Sequence, residues 1–140
     1  LLTRKAERLL RLADIVFHDA LVGPGILELA SGRARLMSVG KRSGRHSMDQ
    51  SAINRQLIAA AAAGQRVVRL KGGDPSIFGR SAEEVHALNE AGIRVRICAG
   101  VTAASAAAAS GSVIHSPPHV VTRSCAIAFA SGSGDGRVSA

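Results

Sequence analysis

The string Lys71-Gly72-Gly73-Asp74-Pro75 holds residue types suited to gripping a ligand. Paired glycines let backbone approach a bound molecule closely, and Asp74 can accept hydrogen bonds or face a cation. Pro75 restricts Asp74 to extended geometry, so the same residues also read as a plain strand exit followed by a turn. Two more clusters follow short apolar runs. His18 and Asp19 come after Ile15-Val16-Phe17 and can form a titrating pair; equally, the histidine is structural and the aspartate caps the turn before Pro24. Lys41 and Arg42 come after Gly40, where they either meet an anionic ligand or stand solvated.

The elements that must position these clusters alternate along the chain. Thr3 caps a predicted helix with Ala6, Leu9, Leu10 and Ala13 on one face, and Ile15-Val16-Phe17 follows as a strand. Pro24 suits a helix start before Ile26, Leu27 and Leu29, and Ala34 to Val39 reads as a second strand ending at Gly40. Ser47 and Gln50 have capping-box spacing for a helix through Ile53, Leu57 and Ile58 that stops at Gly64, ahead of a buried strand Val67-Val68-Arg69-Leu70. Ser81 and Glu84 repeat that spacing for a helix ended by Gly92, with a strand from Ile93 to Ile97. Thr102 to Ser110 predicts an Ala-rich packed helix and Ser124 to Ala130 a last strand, leaving 132–140 as a loose Gly/Ser-rich tail after a domain spanning 1–131. Strands separated by helices imply right-handed crossovers and an α/β fold, with a mainly parallel sheet covered on both faces. Ligands of such sheets sit beyond the carboxyl ends of the strands, which selects the loops after Phe17, Val39, Leu70 and Ile97.

Composition narrows the function classes. With 140 residues, 46% of them apolar and 20% charged, the chain is one globular domain's worth. A formal charge of +8 suits an anionic partner: nucleic acid, acidic lipid or a polycarboxylate. Phe17, Phe78 and Phe129 are the aromatic residues, too few for the stacking platforms of single-strand readers, so nucleic acid is not expected. Cys98 and Cys125 lack metal-ligand spacing and read as buried free thiols; no metal site is expected. The 18 uncharged residues from Ile97 to Ile114 are mostly Ala, Ser, Gly and Thr, so no membrane span is expected. The chain opens on an amphipathic helix pattern instead of a signal peptide, which gives a cytoplasmic expectation.

The full string Val67-Val68-Arg69-Leu70-Lys71-Gly72-Gly73-Asp74-Pro75-Ser76-Ile77-Phe78-Gly79-Arg80 closely resembles the hallmark of the tetrapyrrole methylase family. Three other strings fall in that family's order: Asp14-Ile15-Val16-Phe17-His18-Asp19-Ala20-Leu21-Val22, Val39-Gly40-Lys41-Arg42-Ser43-Gly44-Arg45-His46-Ser47 and Ala99-Gly100-Val101-Thr102-Ala103-Ala104. The resemblance runs from Leu1 to about Gly111; beyond it, Ser116-Pro117-Pro118-His119 replaces a stretch that usually contains Thr-His-Arg.

The resemblance implies the amino-terminal lobe of a tetrapyrrole methylase, with the family's first strand, its Gly-rich cofactor loop and its second lobe lying outside this chain. It implies methyl transfer from S-adenosylmethionine to ring carbons of uroporphyrinogen III, giving precorrin-2 on the way to sirohaem or cobalamin. It further implies a homodimer for the full-length protein and an inactive isolated fragment. Cofactor contacts are then expected at Gly72, Gly73, Asp74, Ile77, Thr102 and Ala103, a proton acceptor at Asp19 and a proton donor at Lys41. Substrate contacts are expected at Arg42, Arg80 and Glu83, with Lys71 and Arg45 as further carboxylate partners. Methylating a pyrrole carbon requires a proton to leave the ring skeleton afterwards, so a positioned carboxylate suits the chemistry. The alternatives are a methyltransferase for a later corrin precursor and a noncatalytic basic remnant that binds polyanions by charge alone.

Overall fold

A computed structural model describes residues 2–20, 22–40, 48–72 and 81–100 and the backbone of 125–131. In chain order the elements are α1 (Arg4–Leu12), β1 (Ile15–His18), α2 (Pro24–Leu27), β2 (Arg35–Ser38), α3 (Gln50–Ala62), β3 (Val67–Gly72), α4 (Ser81–Glu90), β4 (Arg94–Cys98) and β5 (Cys125–Ser131). The helix expected over Thr102 to Ser110 and the tail 132–140 lie outside the described residues.

Local chemistry explains most boundaries. Thr3 Oγ1 accepts the Ala6 N–H at 3.3 Å and caps α1, while Ala13, extended at φ −64° and ψ 144°, ends it. Pro24 opens α2 from a position where a helix needs no N–H. Gly64 and Gly92, at φ 78° and 73°, take the left-handed conformation that ends α3 and α4. Ser47, the expected cap of α3, lies outside the described residues. Asp49 is the cap position of α3, and Gln50, the first helical residue, gives its side-chain amide to Asn54 and Glu84.

The sheet order is β2-β1-β3-β5-β4. β1 lies between β2 and β3 and runs parallel to both, whereas β5 runs antiparallel to β3 and β4. β4 therefore shares the direction of β3, and the sheet is mainly parallel as expected.

Side-chain alternation along the strands creates two cores. Ile15, Phe17 and Val67 pack with Ile53, Leu57, Ala61 and Leu88 on the face covered by α3 and α4. Val16, Val68 and Leu70 pack with Ala6, Leu10 and Val22 on the other face, under α1 and α2. Each fully buried Leu, Ile, Val or Phe contributes about 1.5–3 kcal/mol, which is why the strands nearest the centre are the most apolar. By the same alternation Arg69 and Lys71 fall on the α3 and α4 face, beyond Val67.

The amino-terminal ends of β1 and β3 are pinned by Asp14. Its carboxylate accepts the Arg66 Nη2 at 2.7 Å, the Arg66 Nε at 3.0 Å and the Arg66 backbone N–H at 2.7 Å. The Arg66 side-chain and backbone donors hold the Asp14 carboxyl at about 2, below its ordinary 3.8. A carboxyl lowered in the folded state stabilises the fold above its unfolded value and loses that contribution as pH falls toward its folded one. Asp14→Asn should therefore lower stability in urea melts at pH 7 by about 0.2–1 kcal/mol, the range for an exposed pair. The gap from the parent protein should close as pH falls from about 4 to about 2.

Candidate active site

β1 delivers Asp19 to the carboxyl end of the sheet. The register pairs His18 with Leu70, so Asp19 stands level with Lys71 and one step short of Gly72. The backbone there is held from three sides. Asp19 N donates to Leu70 O at 3.3 Å, Val22 N donates to Asp19 O at 3.2 Å, and Val39 N donates to His18 O at 2.9 Å. The His18 ring Nδ1 lies 3.1 Å from Asp19 O. Gly40, just past β2, packs against this backbone so closely that a Cβ there would overlap Ala20 N and lie 2.9 Å from both Cα and C of Asp19. Only glycine fits between the two strand ends.

The Asp19 side chain is fixed by Arg69. Arg69 Nη2 donates to Asp19 Oδ1 at 2.6 Å, its Nε donates to Glu84 Oε1 at 3.1 Å, and its Nη1 donates to Leu70 O at 3.1 Å. Glu84 Oε2 accepts Lys71 Nζ at 3.1 Å, and Oε1 also accepts Gln50 Nε2 at 3.2 Å. Arg69 and Lys71 have side chains 6% exposed and Glu84 4%, against 29% for Asp19. The network thus joins β1, β3, α3 and α4, and among its described charged members Asp19 is the one that reaches solvent. Among the described residues it joins two cations to two carboxylates. A planar guanidinium suits the junction because its fork reaches several acceptors at once, as a lysine ammonium on its flexible stem does not.

Ser81 and Glu84 were expected to form a capping box, and they do not. Ser81 is itself the first residue of α4, and its buried Oγ has no hydrogen-bond partner. Glu84 turns inward instead, because two buried cations on β3 bind a carboxylate more strongly than one backbone N–H does. Lys71 is likewise buried and paired with Glu84 rather than presented as a surface cation.

Of the residues expected at the site, Asp19 and Gly72 come together at the carboxyl edge of β1 and β3. Gly72 is exposed, and a Cβ placed on it would meet nothing within 4 Å. Glu83 is exposed on the first turn of α4, beside the inward-facing Glu84. Lys41, Arg42, Gly73, Asp74, Ile77, Arg80, Thr102 and Ala103 lie outside the described residues. The bonds from Glu84 to Arg69 and Lys71 do tie together the two elements, β3 and α4, between which Gly73 to Arg80 runs.

Arg69, Glu84 and Gln50 are the members that the pattern of residue types did not announce. A usable signal was present in Val67-Val68-Arg69-Leu70, where a cation interrupts an apolar strand and so requires a buried acid. Cys98, which ends β4, is a buried free thiol; burial raises its pKa, against smaller opposing effects from Lys5 and Arg96. Among the described residues no helix is long and apolar enough to cross a membrane.

Residues 1–122 match the family of Tetrapyrrole (Corrin/Porphyrin) Methylases. The chain belongs to this family. As a tetrapyrrole methylase chain it is 53% identical over 109 residues to siroheme synthase 2 of Halorhodospira halophila, covering 78% of this chain and 22% of that protein. It is also 53% identical over 109 residues to siroheme synthase 1 of Klebsiella pneumoniae, covering 78% of this chain and 23% of that protein. Among solved structures it resembles uroporphyrin-III-C-methyltransferase from Thermus thermophilus, with 46% identity and a TM-score of 0.67 over 81% of this chain and 48% of that one. The tetrapyrrole methylase chain thus spans about half of that structure and under a quarter of the siroheme synthases.

Two substitutions test this geometry. Glu84→Ala removes the carboxylate shared by two buried cations and should destabilise the protein by about 3–5 kcal/mol in urea unfolding. Gly40→Ala should also destabilise it, by at least about 1–3 kcal/mol, through the overlap with Ala20 and Asp19.

Proposed function

We propose that the protein carrying this chain transfers methyl groups from S-adenosylmethionine to ring carbons of uroporphyrinogen III, giving precorrin-2. The observation that carries this reading is the likeness to Thermus thermophilus uroporphyrin-III C-methyltransferase, one structure of which is complexed with S-adenosyl homocysteine and is 41% identical with a TM-score of 0.63. A cobalt precorrin-4 methyltransferase matches at 27% identity and the same TM-score of 0.67 as the first Thermus structure, which favours uroporphyrinogen III over a later corrin precursor.

The geometry suits the chemistry. S-adenosylmethionine, when bound, supplies an electrophilic methyl group on a sulfonium sulfur. The exposed Gly72 allows backbone to approach that ligand, and Gly73, Asp74, Ile77, Thr102 and Ala103 complete the proposed cofactor contacts. Arg42, Arg80 and Glu83 are proposed to bind the substrate's polar groups, with the basic side chains meeting its carboxylates. Asp19 is proposed to accept the proton lost from the methylated skeleton: the C–H bond breaks, its electron pair returns to the ring system, and an O–H bond forms on the carboxylate. Lys41 is proposed as the matching proton donor.

In the protein at its full encoded length, calorimetry should detect S-adenosylhomocysteine binding, and Asp74→Ala should weaken it at least about tenfold, the equivalent of one strong ligand contact. Asp19→Asn should leave that affinity within about twofold while lowering kcat by about 100- to 10,000-fold, the range for a positioned proton acceptor. Faster methylation of a later corrin precursor than of uroporphyrinogen III in direct competition would overturn the substrate assignment.

A further inference from the structure

We infer that Arg69 is a positioning residue for proton removal by Asp19, and that Glu84 holds Arg69 in the orientation this requires. The inference rests on the role proposed above for Asp19. Each of the three Arg69 nitrogens has an acceptor: Asp19 Oδ1 at 2.6 Å, Glu84 Oε1 at 3.1 Å and Leu70 O at 3.1 Å. A guanidinium with every nitrogen engaged has one orientation, and it passes that orientation to the carboxylate it binds.

The two Asp19 oxygens are left unequal. Oδ1 accepts Arg69, whereas among the described residues Oδ2 accepts no hydrogen bond. Asp19 is 29% exposed in a network whose other described charged members are 6% exposed or less, so the oxygen that Arg69 does not take is the one a ligand can reach. The main chain of Asp19 is set by the sheet and by Gly40, and its side chain by Arg69. Proton acceptance then falls to Oδ2, aimed by a cation that rests on the central strand rather than on a loop. Glu84 enters only through Arg69, since its own bonds run to Arg69, Lys71 and Gln50 and none reaches Asp19.

The test uses the protein at its full encoded length, S-adenosylmethionine and uroporphyrinogen III, with Asp19→Asn, Arg69→Met, the double variant Asp19→Asn/Arg69→Met, Arg69→Lys and Glu84→Gln. Arg69→Met should lower kcat about 10- to 100-fold, as expected of a misaimed group, with S-adenosylhomocysteine affinity within about twofold. Arg69→Lys should recover part of that loss. In the Asp19→Asn background the Arg69 substitution should cost nothing further, because an effect exerted through Asp19 vanishes with it, whereas a general structural effect would persist. Should Arg69→Met fail to fold, Arg69→Lys and Glu84→Gln carry the same expectation of reduced kcat at retained S-adenosylhomocysteine affinity. Parent-level kcat in the Arg69 variants, or an undiminished Arg69 loss in the Asp19→Asn background, would overturn the inference and leave the Asp19 role standing. Parent-level kcat in Asp19→Asn itself would instead remove the role on which the inference rests.

Discussion

Glu84 accepts hydrogen bonds from Arg69, Lys71 and Gln50 at a place where its side chain is 4% exposed. Taking such charges out of water costs several kcal/mol per ion, and their mutual attraction offsets that cost only when the geometry is good and the remaining donors are satisfied. The carboxyl edge of the sheet is organised around meeting this condition. β3 brings two cations to the face covered by α3 and α4, and α4 must dock with Glu84 inward. α3 contributes Gln50, and β1 contributes Asp19 as the second acid. Once those partners are in place, the direction of the Asp19 carboxylate is set.

The two ends of β1 and β3 are held by the same chemistry with different consequences. At the amino ends, Asp14 and Arg66 form a pair roughly half exposed, which fixes register but is weakened by solvent. At the carboxyl ends, Asp19 and Arg69 sit largely out of water, so their attraction is stronger and their orientation tighter. Gly40 sharpens the contrast, since the backbone of β2 closes on Asp19 only because no Cβ stands between them. The buried, more tightly held pair is therefore the one at the carboxyl ends, where Gly72 is exposed.

Much of the fold could be read from residue pattern because its signals are local. The Thr3 cap, Pro24 at a helix start, the left-handed Gly64 and Gly92 and the apolar strands each depend on neighbours in sequence, and each appears where expected within about two residues. The capping box expected at Ser81 and Glu84 failed for a definite reason. Glu84 has the right spacing for a local bond, but a pair of buried cations elsewhere in the chain, at Arg69 and Lys71, offers a stronger partner, and Gln50 in turn donates to Glu84. Spacing does not reveal such competition, because it arises only after α3 and α4 dock on β3. The same holds at the site: Asp19 and Gly72 were legible as strand-end residues, whereas the cation aiming Asp19 was hidden in a strand that reads as plain core.

The most direct measurement is a crystal structure of the protein at its full encoded length with S-adenosylhomocysteine bound. The ligand should lie at the carboxyl edge of β1 and β3 against Gly72, with Arg69 still bridging Asp19 and Glu84 and the free Asp19 oxygen facing the substrate space. A ligand bound elsewhere, or Glu84 turned out to solvent with Arg69 released from Asp19, would contradict it.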